Sequence, residues 1–201
     1  MTSEEAGVPT LLIDGCVAAQ AALLTDIAEL SDDVARRPSL LPGWSVWHLL
    51  THIARNADSV VWRLEGAARG ELRDQYPGGL EQRKADIEAG AARPASELVA
   101  DVRRTSAAVA GVMAGLPTEA WDAPSRTSRG VVESSRDAIL SRWREVVVHH
   151  GDLGLAPVPL PPELVAAWLP RELARLAERT DPGRLLSWII GRGDAPVLAA
   201  W

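Results

Sequence analysis

The chain has four histidines, and they fall in two places only. His48 and His52 stand four residues apart, while His149 and His150 are adjacent, with Glu145 four residues before His149. A spacing of four stacks two side chains on one face of an α-helix, about 6 Å apart along its axis. The stretches that hold them, Gly43 to His52 and Arg142 to Gly154, otherwise carry helical patterning. A Glu and a His so placed can reach one metal ion together, yet one helical turn rarely completes such a site. The spacing therefore requires a fold in which a second helix faces the first.

Apolar periodicity supplies that fold. Leu11 to Leu30 repeats at Leu12, Cys16, Ala19, Leu23, Ile27 and Leu30, a helical period. Ser45 is a suitable N-cap for a helix from Val46 to about Ala68, whose stripe includes Leu49, Ile53, Val60 and Leu64, with His52 beside it. A short helix is predicted over Leu80 to Ala92. A third long one runs from about Glu97 to Ala114, capped by Pro94-Ala95-Ser96. The period disappears from Thr118 to Val132, where Arg126 to Val132 reads as a small hairpin or lid-like loop. A fourth long helix is predicted from about Ser134 to His150, with Gly151 and Gly154 at its end.

Four long amphipathic segments without a series of strands predict an all-α, antiparallel four-helix bundle over residues 1–154. The second and fourth long helices would meet across its interior and bring His52 towards Glu145 and His149. Residues 155–201 read as a short, mainly helical C-terminal extension packing near the site. It has a proline-rich connector, a helix over about Glu163 to Arg179, and a shorter one after Asp181-Pro182 that ends at Gly191-Arg192-Gly193.

Charge and composition narrow the function. A formal net charge of -6 argues against a nucleic-acid binder, which needs a basic face. No apolar run approaches the length of a membrane span, and the first residues lack the pattern of a signal peptide. Cys16 stands alone, so no internal disulfide forms, and a cytoplasmic setting is expected. Cys16 also lies on an apolar stripe, which marks it as a core residue rather than a reactive one.

Two His and one Glu form a recurrent catalytic zinc set that leaves one position open. Such an ion lowers the pKa of a bound water, binds a thiolate, or polarises a carbonyl. The chain has no His-Glu-x-x-His, no Walker-type loop and no Gly-x-Ser-x-Gly. His48 remains an alternative ligand through its pairing with His52, though packing beside the site suits it better. His150 is turned about 100° from His149 and cannot easily share its ion. Asp152 either holds a ligand histidine in one tautomer or caps the chain reversal, and capping is the preferred reading.

The paired motifs Gly43-Trp44-Ser45…His48-Leu-Leu-x-His52-x-Ala54-x-Asn56-Ala57 and Arg144-Glu145-Val146-x-x-His149-x-x-Asp152-Leu-Gly154 carry a resemblance. Together they resemble the mycothiol-dependent maleylpyruvate isomerase family, whose members are DinB-like metal-binding four-helix bundles. Arg83-x-x-x-Ile87-Glu88-x-Gly90 is similar to a further family element, and Gly191-Arg192-Gly193 to the family's C-terminal segment. The resemblance implies that His52, Glu145 and His149 are zinc ligands, that Arg192 is an essential cationic catalytic group, and that Arg83 belongs to the cofactor site. It implies zinc and mycothiol, the thiol cofactor of actinobacteria, as cofactors. It also implies a small anionic or electrophilic substrate. The chemistry would be cis–trans isomerisation of a maleylpyruvate-like substrate, or thiol transfer to an electrophile, through a zinc-bound thiolate. A DinB-like metal-binding stress protein without turnover and a metal-dependent hydrolase are the alternatives.

Overall fold

Ser45 starts the helix on which the fold is built. Its hydroxyl accepts the His48 backbone N–H at 3.4 Å, while His48 Nδ1 accepts the Ser45 backbone N–H at 3.2 Å. This reciprocal cap satisfies two donors and launches α3, Val46–Ala68. The computed structural model describes residues 7–198. Before α3 come α1, Thr10–Asp26, and the short α2, Asp32–Ala35; after it come α4, Gly79–Gly90, and α5, Ala95–Gly115. A two-stranded antiparallel hairpin follows, β1 (Pro124–Arg126) with β2 (Val132–Ser134), in the register Ser125 to Glu133. Then come α6, Ser135–Asp152, α7, Pro162–Arg175, and α8, Pro182–Ile189.

Helices α1, α3, α5 and α6 close a ring: α3 packs on α5 and α6, and α1 packs on the same two. The result is the DinB-like four-helix bundle. Its core gathers Leu23, Leu49, Ile53, Leu98, Val102 and Val146, one stripe from each helix. α4 lies outside the ring against α3. A Cβ on Gly90 would stand 2.3 Å from Thr51 Cγ2, so only glycine lets α4 come this close, next to His52. The hairpin is tied to α3 by Arg63, whose buried Nη1 donates to Glu133 Oε1 at 2.6 Å. Among the described residues no helix is long and apolar enough to cross a membrane.

The chain divides after Leu160 into two compact units. The second unit holds α7 and α8, with a 3₁₀ turn over Leu176–Glu178 between them. In α8, the Asp181 side chain accepts the Arg184 N–H at 2.8 Å, and Pro182 occupies the first turn.

Several boundaries differ from those read in the sequence, among them the end of the helix read to Arg179, which stops at Arg175, and two of the differences have a cause in named contacts. The first helix ends at Asp26, not Leu30, because Ser31 caps a separate turn: its side chain accepts the Val34 N–H at 3.4 Å. The helix placed at Glu97 starts at Ala95, and Ser96 does not cap it. The Ala95 N–H donates instead to Asp32 Oδ1 at 2.7 Å, a long-range cap that local spacing does not reveal.

Candidate metal centre

α3 and α6 bring His52, Glu145 and His149 to one point, where their candidate ligand atoms all lie within 4.8 Å of one another. A single carboxylate oxygen, Glu145 Oε2, stands 3.1 Å from His52 Nε2 and 3.3 Å from His149 Nε2. A tetrahedral ion ~2.0–2.1 Å from each ligand separates neighbouring ligand atoms by about 3.3 Å, which the two Glu145–histidine separations match, and two imidazoles with one carboxylate are a donor set that suits zinc. The two imidazoles meet edge to face with centroids 4.8 Å apart, and Trp44 closes one side with its ring 5.5 Å from that of His52.

Hydrogen bonding fixes which nitrogen faces the centre. His149 Nδ1 lies 2.9 Å from Asp152 Oδ2, so that nitrogen donates and Nε2 points at Glu145. Asp152 therefore orients His149, and the capping reading is overturned: the last turn of α6 carries its side chain back to the ring one turn earlier. Arg83 on α4 brings Nη2 to 2.9 Å from His52 Nδ1. A guanidinium only donates, so in this arrangement His52 Nδ1 accepts and Nε2 bears the proton against Glu145; for Nε2 to hold an ion instead, that proton must leave or move to Nδ1, with Arg83 turning aside.

Electrostatics follow this geometry. Burial lowers the pKa of His52 and outweighs the hydrogen bond and charge of Glu145 that oppose it. Burial alone would raise Glu145, but hydrogen bonds from His149 and His52, with their charges, hold its carboxyl well below the usual carboxylate range. Burial likewise disfavours charged His149, yet Glu145 and Asp152 together raise its pKa.

Arg142, one turn before Glu145, has a role that residue spacing did not reveal. It is fully buried and donates through Nη1 to the Ile53 carbonyl and Asn56 Oδ1, each at 2.8 Å, and through Nη2 to Gln20 Oε1 at 3.2 Å. It thereby pins α6 to the turn of α3 that follows His52, and to α1. The signal available was an Arg inside an apolar helical stripe.

The remaining histidines stand apart from the centre. His48 serves the cap of α3, and its Nε2 lies 3.5 Å from Glu88. His150 Nε2 lies 2.9 Å from Asp26 Oδ2 and ties the end of α6 to the end of α1. Arg192 belongs to the second unit. It follows α8, and its backbone N–H donates to the Ser187 carbonyl at 2.7 Å.

Residues 16–154 match the family model described as the mycothiol maleylpyruvate isomerase N-terminal domain. No curated sequence matches the chain. Among solved structures it is similar to that of a mycothiol-dependent maleylpyruvate isomerase, with a TM-score of 0.73 and 22% identity over 77% of this chain and 65% of that one. It is equally similar to a histidine-to-alanine mutant structure of the same description, at 21% identity with the same TM-score and coverage. This chain thus spans about two thirds of the length of those proteins. The matched stretch holds the whole convergent triad and the helices that build it, and on that match the chain belongs to the mycothiol maleylpyruvate isomerase N-terminal domain family.

Proposed function

We propose that this chain is a zinc-dependent, mycothiol-using isomerase acting on a small, anionic, maleylpyruvate-like substrate. The observation that carries the reading is the meeting of two imidazole nitrogens at a single carboxylate oxygen, at separations that suit one tetrahedral ion. His52, Glu145 and His149 would hold the ion and leave one position open. A divalent ion with two neutral ligands and one anionic ligand keeps a net positive charge, which favours the thiolate form of a thiol at neutral pH.

The chain's own residues supply the rest. Asp152 keeps the His149 Nε2 lone pair aimed at the centre, and Arg142 keeps α6 in register with α3. Trp44 and the buried wall of α3 exclude water from one side. Arg192 is proposed to hold a carboxylate of the substrate through its two-pronged guanidinium. Cis–trans isomerisation by reversible addition of a thiol to a conjugated double bond returns the thiol unchanged and needs no oxidant.

Metal analysis and turnover test this together. The protein should bind one zinc per chain and isomerise a cis-configured conjugated dicarboxylate only when mycothiol is present. Glu145→Gln, which removes the anionic ligand, should lose both zinc and turnover. Unchanged zinc content in that variant would refute the assignment of the centre.

A further inference from the structure

The two candidate ligand histidines are held from behind by opposite partners. Behind His149, Asp152 Oδ2 lies 2.9 Å from Nδ1 and only accepts, so Nδ1 keeps the proton and Nε2 presents its lone pair. Behind His52, Arg83 Nη2 lies 2.9 Å from Nδ1 and only donates, so that lone pair is engaged and the proton faces Glu145. One ring is set for a metal ion and the other is set against it. The His52 ring is neutral in either form, and only the nitrogen that carries the proton differs. With the proton on Nδ1, its N–H would point at the N–H of Arg83, so the guanidinium must withdraw. Losing the proton outright would leave an imidazolate, which a neutral imidazole forms far less readily.

Arg83 is placed to withdraw. α4 is anchored at its far end, where Ile87 and Gly90 are buried, whereas residues 79–82 and Lys84, around Arg83, are exposed. Arg83 also lines a cavity of about 290 Å³ that Tyr76 and Asp86 line with it. Its guanidinium carbon already stands 5.5 Å from the centroid of the Tyr76 ring. Asp86 follows three residues later on the same helix, a spacing at which an Arg and an Asp meet. A guanidinium that leaves His52 therefore has a ring face and a carboxylate within reach.

We propose that Arg83 is a lock on metal loading. Its hydrogen bond to Nδ1 holds His52 in the tautomer that cannot ligate through Nε2, and an ion binds as Arg83 swings towards Tyr76 and Asp86. The proposal rests on the zinc reading above and adds a residue that opposes the ion. Glu145 favours the same tautomer from the front, yet it is itself a candidate ligand; Arg83 opposes the ion without helping to hold it. Apparent affinity falls with the fraction of protein in the competent form, so removing the donor should tighten zinc binding.

Long-range proton–nitrogen NMR of the four histidines reads the tautomers directly. Chelator-treated wild type should show His52 with its proton on Nε2, and added zinc should move it to Nδ1. A proton on Nδ1 before zinc is added would overturn the proposal. So would a zinc-bound His52 with no proton on Nδ1, because Arg83 would then have stayed in place. These spectra need no variant, so they decide even if a variant fails to fold. Competitive zinc titration gives the second readout. Arg83→Met should bind zinc at least tenfold tighter than wild type, and Arg83→Lys, which keeps a donor and the charge, should gain less. Equal affinity in wild type and a folded Arg83→Met protein would overturn the lock and leave the zinc reading standing. Tighter binding by Arg83→Met, with the wild-type proton on Nδ1 throughout, would assign the gain to charge repulsion and also overturn it. Failure of the wild type to bind zinc would defeat the zinc reading and the lock with it.

Discussion

His149 Nδ1 and Asp152 Oδ2 lie 2.9 Å apart, one turn along the same helix, so the histidine that faces Glu145 is held from behind by a second carboxylate. Partners of this kind fix the tautomer and raise the basicity of a ligand imidazole. Asp152→Ala is expected to weaken zinc binding by roughly 10–100-fold. Asp152→Asn should lose less, because an amide oxygen still accepts the Nδ1 proton. Competitive zinc titration reads the order directly, and equal affinities in all three proteins would remove Asp152 from the site.

Asp101 joins α5 to α3 and to the segment before α5. Its carboxylate accepts from Arg55 and Arg93 at 2.8 Å and from Arg104 at 2.7 Å. Burial pushes its pKa up, but these arginines together win and hold it below the ordinary 3.8. A depressed carboxyl contributes stability that is fully present above its unfolded value and is lost as pH falls through the folded one. Asp101→Asn should therefore cost about 1–3 kcal/mol near neutral pH. The gap to wild type should narrow below pH ~4. Denaturant titrations across that range give the comparison, and a constant gap would assign the loss to packing.

Much of the bundle was legible because α3 and α6 carry strong local signals. Ser45 caps α3 where expected, and Glu145 and His149 share a face by spacing alone. Which second helix would supply the third donor followed from the scarcity of histidine. The parts that escaped are contacts between residues distant in sequence. The Asp32 cap on α5, the Arg83 bond to His52 and the Arg142 clamp on Ile53 span 63, 31 and 89 residues. No local pattern encodes such partners. Asp152 stayed open between two roles, with capping preferred, for a different reason: a polar residue at a helix end satisfies capping and ligand-orienting patterns equally well, and only the ring position separates them.

Cys16 should be chemically silent in the folded protein. It is fully buried on α1, and burial pushes its thiol up to about 11, with the nearby Arg142 charge opposing only in part. The thiolate is the reactive form, so almost none is present at neutral pH. An alkylating reagent should leave native protein unmodified over hours and label one thiol per chain in denaturant. Rapid labelling of the native state would show that α1 opens from the bundle. It would also make Cys16 a competing thiol in every assay with mycothiol.

Arg192 tests whether the second unit takes part in the chemistry. Gly191 adopts φ +67°, a turn that favours glycine, and the Arg192 N–H closes back on the Ser187 carbonyl, so the residue sits in a defined bend after α8. A guanidinium there is suited to gripping a carboxylate at two points. Arg192→Ala is expected to leave zinc content and helicity intact while lowering turnover of an anionic substrate more than tenfold, a loss above about 1.4 kcal/mol of transition-state stabilisation. Arg192→Lys should recover part of it, since the ammonium keeps the charge but not the planar fork. An effect confined to KM would place the interaction equally in ground and transition states, and one on kcat would place it in the transition state alone. Normal turnover by the alanine variant would confine the chemistry to the bundle and leave Arg192 without a part in it.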